Sequence, residues 1–142
     1  MARQQMILKE QRDKLLANGK KNLAHRMKDG NTEDFEPVLK LFNPMGAATW
    51  LLTELEVDED GNEIAFGLCD LGMGSPELGY VSLEEIRSVR LPLGLYIERD
   101  LHFKAHAKLS VYTEAARRVG RITESTVDLY IETVAEKEFD GK

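Results

Sequence analysis

The segment Thr49–Asp70, TWLLTELEVDEDGNEIAFGLCD, constrains the fold more than any other part of this 142-residue chain. Two apolar stretches flank Asp60-Gly61, a pair suited to a two-residue type I′ turn, so the segment predicts a β-hairpin. With that loop, Val57 lies opposite Ile64, Leu55 opposite Phe66 and Thr53 opposite Leu68, forming one apolar face. The second face pairs Glu56 with Ala65, Glu54 with Gly67 and Leu52 with Cys69, with Trp50 at its far end. That face is acidic near the turn and apolar farther away. Side chains on a strand alternate with period two, so a longer loop would shift the register and exchange the faces.

The remaining elements surround this hairpin. LKEQRDKLLANG carries Leu8, Leu15 and Leu16 at helical spacing, with Gly19 where a helix stops. KKNLAHRMKDGN predicts a second short helix ending near Gly30, and Val38–Phe42, after Pro37, a strand. LGMGSP reads as a turn and ELGYV as a strand. Ser82 and Glu85 then form a capping box that opens a short helix bearing Leu83, Ile86 and Val89. LPLGLYIERDLHF predicts a turn and a strand centred on Tyr96–Glu98. LSVYTEAARRVG predicts a helix with Ser110 as N-cap and Gly120 beyond its end. In ESTVDLYIETVAEKEF the helical spacing of Val127, Tyr130, Ile131 and Val134 competes with strand alternation of Val127, Leu129 and Ile131, and helix is the preferred reading. The fold class expected is α+β: a small, mainly antiparallel sheet with a central β-hairpin and helices at the N- and C-terminal ends, forming a single domain over residues 1–142.

Charge is unevenly spread. The net charge is −6, yet Leu41–Ile86 contains no Lys, Arg or His and ten acids. Six of these, Glu54, Glu56, Asp58, Glu59, Asp60 and Glu63, sit on the hairpin and its tip, and they are the expected acidic face for a partner with a basic surface. Such a surface disfavours nucleic acid. The single cysteine cannot form an intrachain disulfide, and neither a signal-peptide core nor a membrane-length apolar run is found, so a cytoplasmic protein without a membrane role is expected.

The chemical motifs fail one by one. Gly67 and Gly72 have phosphate-loop spacing but Met73 follows, and Gly74 and Gly79 are followed by Tyr80, so the lysine is missing. Gly72-x-Gly74 lacks a third glycine at Glu77. Cys69 sits beside Asp70, whose charge would raise a thiol pKa, so it reads as a small strand hydrophobe rather than a nucleophile. His102 and His106 are four apart but not in a helical context. A cluster of Asp70, Glu77, Glu98 and Asp100 could serve a small metal-dependent hydrolase if the strand ends converged. Arg117, Arg118 and Arg121 complement a helix dipole or, on a DNA-associated reading, touch phosphate. No catalytic residue, metal ligand or cofactor site is assigned. The binding residues expected are Trp50, Asp70, Glu77, Tyr80, Arg99 and Asp100, which sit at strand ends beside glycine-rich turns.

The segments TWLLTE, FGLCDLG, PELGYVSL and ERDLHF, with LKEQRDKLLANG before and LSVYTEAARRVGRI after them, resemble a bacterial domain-of-unknown-function family found on plasmids, integrative elements and phages. The resemblance covers about residues 8–122 and leaves 123–142 as a C-terminal helical extension. It implies an accessory protein of a mobile element, related to domains thought to blunt host defences, and carries no catalytic residues. The function expected is therefore non-enzymatic: binding a host or element-encoded protein through an acidic surface.

Overall fold

The computed structural model describes residues 3–140, so residues 141–142 of the expected C-terminal extension lie outside the described residues. The elements in chain order are α1 (Lys9–Lys28), β1 (Leu39–Phe42), β2 (Thr49–Val57), β3 (Glu63–Asp70), β4 (Glu77–Ser82), α2 (Leu83–Ser88), a 3₁₀ turn (Pro92–Gly94), β5 (Glu98–Arg99), α3 (Leu109–Val119) and α4 (Thr126–Asp140). The strands form one antiparallel sheet in the order β4-β3-β2-β1-β5. The fold is α+β, with helices at both ends of the chain.

The two faces of the sheet bury different sets of residues. Leu39, Leu41, Trp50, Leu52, Leu55 and Ala65 pack with Leu15 of α1 and with Leu83 and Ile86 of α2. Leu51 and Leu68 point the other way, onto Leu109, Tyr112, Ala115 and Ala116 of α3 and Leu129 of α4. Each fully buried leucine contributes on the order of 2 kcal/mol. These two layers account for the buried apolar residues of both strands of the hairpin.

The hairpin register differs from the expectation. Val57 pairs with Glu63, Glu56 with Ile64, Leu55 with Ala65 and Glu54 with Phe66, so the loop spans Asp58–Asn62. Asp58 organises that longer loop: its carboxylate accepts from the backbone N–H of Asp60 and of Asn62, at 2.9 and 2.8 Å. The register then shifts once more between Leu52 and Glu54. Thr53 is the extra residue of a β-bulge, which reverses the alternation of side chains. Leu52 and Leu55 consequently reach the same core, and Glu54 is turned to the opposite face. Gly67, paired with Leu52, makes the bulge feasible: a Cβ there would meet the Leu51 carbonyl oxygen and lie 2.8 Å from Leu52 Cα.

The expected helix stop at Gly19 is also overturned. α1 runs unbroken through it, because Gly19 is where the helix touches β2, and a Cβ would collide with the Leu55 carbonyl oxygen. α1 thus covers β2 beyond the end of β1, and Asn18 Nδ2 donates to the Thr53 carbonyl at 3.0 Å. Four smaller expectations change. The β5 strand is only Glu98–Arg99, not centred on Tyr96–Glu98, and Val89 falls just past α2. Of the capping box only the serine half forms, Glu85 N–H to Ser82 Oγ at 3.2 Å. α3 starts at Leu109 with Lys108 as N-cap, and Ser110 instead bonds Asp34. The C-terminal segment is helical, and Gly120 ends α3 at φ 88° as expected.

Candidate functional site

The bulge delivers Glu54 to the floor of a cleft of about 330 Å³, lined on the sheet by Thr53, Glu54, Phe66, Leu78 and Tyr80. One wall is the C-terminal half of α1, with Asn22 and Arg26, and the other is the segment Thr32–Phe35 against the start of α3. The walls are tied together by hydrogen bonds. Leu109 N–H donates to the Phe35 carbonyl at 2.8 Å, and Ser110 N–H to Asp34 Oδ1 at 3.1 Å. Asp34 therefore does the N-capping of α3 that Ser110 was expected to do, and a carboxylate suits the positive end of a helix.

Asn22 joins the walls to the floor. Only 1% exposed, it donates through Nδ2 to the Glu33 carbonyl at 3.1 Å and to Glu54 Oε2 at 3.0 Å. Its Oδ1 accepts from Glu33 N–H at 2.8 Å. Glu54 is 6% exposed. Burial pushes its carboxyl above the ordinary value, and the Asn22 hydrogen bond and the Arg26 charge only partly offset this, while Glu56 adds to it. Arg26 is 3.8 Å from Glu54 Oε1 but hydrogen-bonds Glu56 at 2.5 Å. At the mouth, Tyr80 is 59% exposed and rests on Phe66 with ring centroids 5.0 Å apart. A concave site with apolar walls and a few convergent polar groups is the usual form of a ligand site.

The residues expected to bind are dispersed. Tyr80 lies in the cleft. Glu77, at the start of β4, is exposed beside a separate shallow pocket that includes Arg117. Trp50 is buried in the α1-side core. Asp70 is 3% exposed and accepts from Gly72 N–H at 2.8 Å and Ile122 N–H at 2.9 Å, tying the end of β3 to the approach to α4. Arg99 holds the N-terminal segment, donating to the Gln5 carbonyl, while its own backbone N–H donates to Gln4 Oε1. Asp100 pairs with Lys40 at 3.2 Å, and Lys40 also pairs with Glu124. Partial burial opposes ionisation of Asp100, but the His102 amide and Lys40 outweigh it and hold its carboxyl below the ordinary value.

The carboxylates thought able to converge do not. Glu77 begins β4 and Glu98 lies in β5, which are opposite edges of the sheet. Four strand spacings separate them, roughly 19 Å. Among the described residues no three His, Cys, Asp or Glu side chains are grouped to hold a metal ion. The six hairpin acids also divide. Glu54 and Glu56 face Arg26, whereas Glu63 faces Arg12 of α1 and Arg87 of α2 on the other side of the sheet. Asp58, Glu59 and Asp60 remain at the exposed tip. A charge deficit in sequence is thus made up in space by arginines from flanking helices. Two of the three C-terminal arginines are occupied similarly: Arg117 pairs with Glu114, and Arg118 with Asp128 and Glu132. Cys69 is half-buried against the core, and burial pushes its thiol up to about 11.

Sequence reasoning missed Asn22, Arg26, Asp34 and Phe66 as cleft residues. Two signals pointed to them. Gly67 interrupts a strand, as glycine does at bulges. Asn18 and Asn22 lie four apart on the stripe of α1 that carries Leu15 and Gly19, where an amide needs a buried partner.

A twisted antiparallel sheet between helical layers, with this cleft at one end, places the protein in the α+β class. More particularly, the chain belongs to the family described as a protein of unknown function (DUF2958), whose model matches residues 6–123. α4 lies beyond that match. No curated protein and no solved structure matches the chain. No helix among the described residues is long and apolar enough to cross a membrane.

Proposed function

We propose that this chain acts as one domain in the cytoplasm as a non-enzymatic accessory protein of a mobile genetic element, and that it binds a host- or element-encoded protein through the face bearing the Glu54 cleft. The observation that carries the reading is the join of exposed apolar surface with buried charge. Leu78 (40% exposed) and Tyr80 stand at the mouth, and a carboxylate lies at the floor. Contiguous exposed apolar side chains rimmed by polar ones characterise interaction sites. The acidic surface of the reading is this cleft, with Glu33, Asp34 and Glu54 against Arg26, rather than the whole hairpin. The mobile-element role rests on the family resemblance of the quoted segments.

Affinity capture from cells carrying such an element tests the reading. The full-length protein should retain a partner that is released by salt and lost with Leu78→Glu/Tyr80→Lys, a double change on exposed positions that leaves the unfolding midpoint in place. A partner retained equally by the double variant, or no partner in any host, overturns it.

A further inference from the structure

Resting on that reading, we propose that the cleft receives a single arginine side chain of the partner protein, its aliphatic stem lying on Phe66 and Tyr80 and its guanidinium bonding Glu54 Oε1. That oxygen is the unfilled position in the site. Oε2 accepts from Asn22, while Oε1 accepts no hydrogen bond and has only Arg26 nearby, at 3.8 Å. Every fully buried side-chain nitrogen or oxygen among the described residues has a partner, so Oε1 is not sealed in the core but opens to the cleft. The side chain carrying it is itself only 8% exposed, and so is aimed rather than free to swing.

Further features select the ligand. The formal charge of the lining is negative, with Glu33, Asp34 and Glu54 against Arg26, and it remains negative when Lys21, which pairs with Glu33 at 3.3 Å from outside the lining, is included, so a cation is favoured over an anion. Arg26 hydrogen-bonds Glu56 at 2.5 Å, which leaves it 3.8 Å from Oε1, outside hydrogen-bonding distance. The path to Glu54 is apolar and aromatic, which suits a long methylene stem with a charged end, and Tyr80 can stack on a guanidinium plane. A planar fork also matches a carboxylate better than an ammonium does. Burial keeps Glu54 short of stabilising charge in the free protein, so an incoming cation completes the site.

The test uses the full chain, uniformly ¹⁵N-labelled, titrated with a blocked alanine-rich hexapeptide holding one arginine, and with the same peptide carrying citrulline or lysine. The arginine peptide should shift amide resonances of Thr53, Glu54, Phe66 and Tyr80. Citrulline, isosteric but neutral, should bind at least about tenfold more weakly, a loss of about 1.4 kcal/mol. Glu54→Gln, which keeps the shape and the Asn22 contact, should show the same loss, and Tyr80→Ala a smaller one. The lysine peptide should fall between. Citrulline binding as well as arginine, Glu54→Gln binding unchanged, or no shift in the cleft with any peptide overturns the inference. Capture of a partner that is lost with Leu78→Glu/Tyr80→Lys but indifferent to Glu54→Gln would overturn it while leaving the proposed function standing.

Discussion

Asp70 and Glu54 are both carboxylates buried within the sheet, and their surroundings differ completely. Asp70 closes β3, where each oxygen accepts one backbone N–H, from Gly72 and from Ile122. Nothing about it is left to satisfy, and it joins distant segments. Glu54 stands at a bulge, has one oxygen held by Asn22, and turns the other to a cleft. Depth alone therefore does not separate a structural acid from a binding one. The number of donors aimed at the carboxylate does, because a buried charge without them is costly and persists where something else completes it.

The comparison depends on the bulge, so breaking the bulge should have the largest effect. Gly67→Val places side-chain atoms where the Leu51 carbonyl and Leu52 Cα already sit, and the strand cannot yield without losing its register. We expect a loss of about 3 kcal/mol in denaturant unfolding, in the upper range for overpacking. A variant as stable as the parent would mean that the register shift at Thr53 is not fixed, and that Glu54 need not face the cleft. Next in size, Asp70→Ala strands two backbone donors and should cost about 2 kcal/mol. Glu54→Gln should cost less than about 1 kcal/mol, because the amide keeps an acceptor for Asn22 and sheds the burial cost of charge. Equal losses for the two would erase the distinction drawn between them.

The layered fold was readable from the chain, because apolar periodicity reports which residues must leave water. The positions of both hairpin strands, β4 and α3 follow from that together with turn and capping residues, and the C-terminal helix from one of two competing periodicities. The cleft was not readable, for reasons specific to three residues. Asp60-Gly61 suggested a two-residue loop, but Asp58 closes a five-residue one by accepting amides across it. Gly67 looked like an ordinary strand residue, although its missing side chain is what admits the bulge. Gly19 looked like a stop signal and is instead a contact point, a choice that only the approach of β2 decides. Gly19→Ala separates these two roles. Helix propensity alone would favour it by about 1 kcal/mol. Collision with the Leu55 carbonyl should reverse the sign and leave a net loss of about 1 to 2 kcal/mol, read from the unfolding midpoint. Charge was the least legible property, since Arg12, Arg26 and Arg87 come from elements remote in sequence from the acids they neutralise.

The smallest effect separates two carboxyls through pH. Glu54 has its carboxyl pKa raised in the folded protein, chiefly by burial. The folded state then holds a proton that the unfolded chain has released, so this group's contribution to stability falls as pH rises from the ordinary value near 4.5 through the raised one. Asp100 has the opposite sign. Burial works against its charge, but the His102 amide and Lys40 prevail and lower its pKa from 3.8, so its contribution is full above that value and is lost as pH falls through the lowered one. Unfolding free energies measured over roughly pH 3 to 7 for the parent, Glu54→Gln and Asp100→Asn should separate the two. The parent minus Glu54→Gln difference should decline with rising pH, and the parent minus Asp100→Asn difference should climb. A Glu54 difference that rises with pH would mean that Asn22 and Arg26 already satisfy its charge. Glu54 would then be another Asp70, with nothing left for a partner to supply.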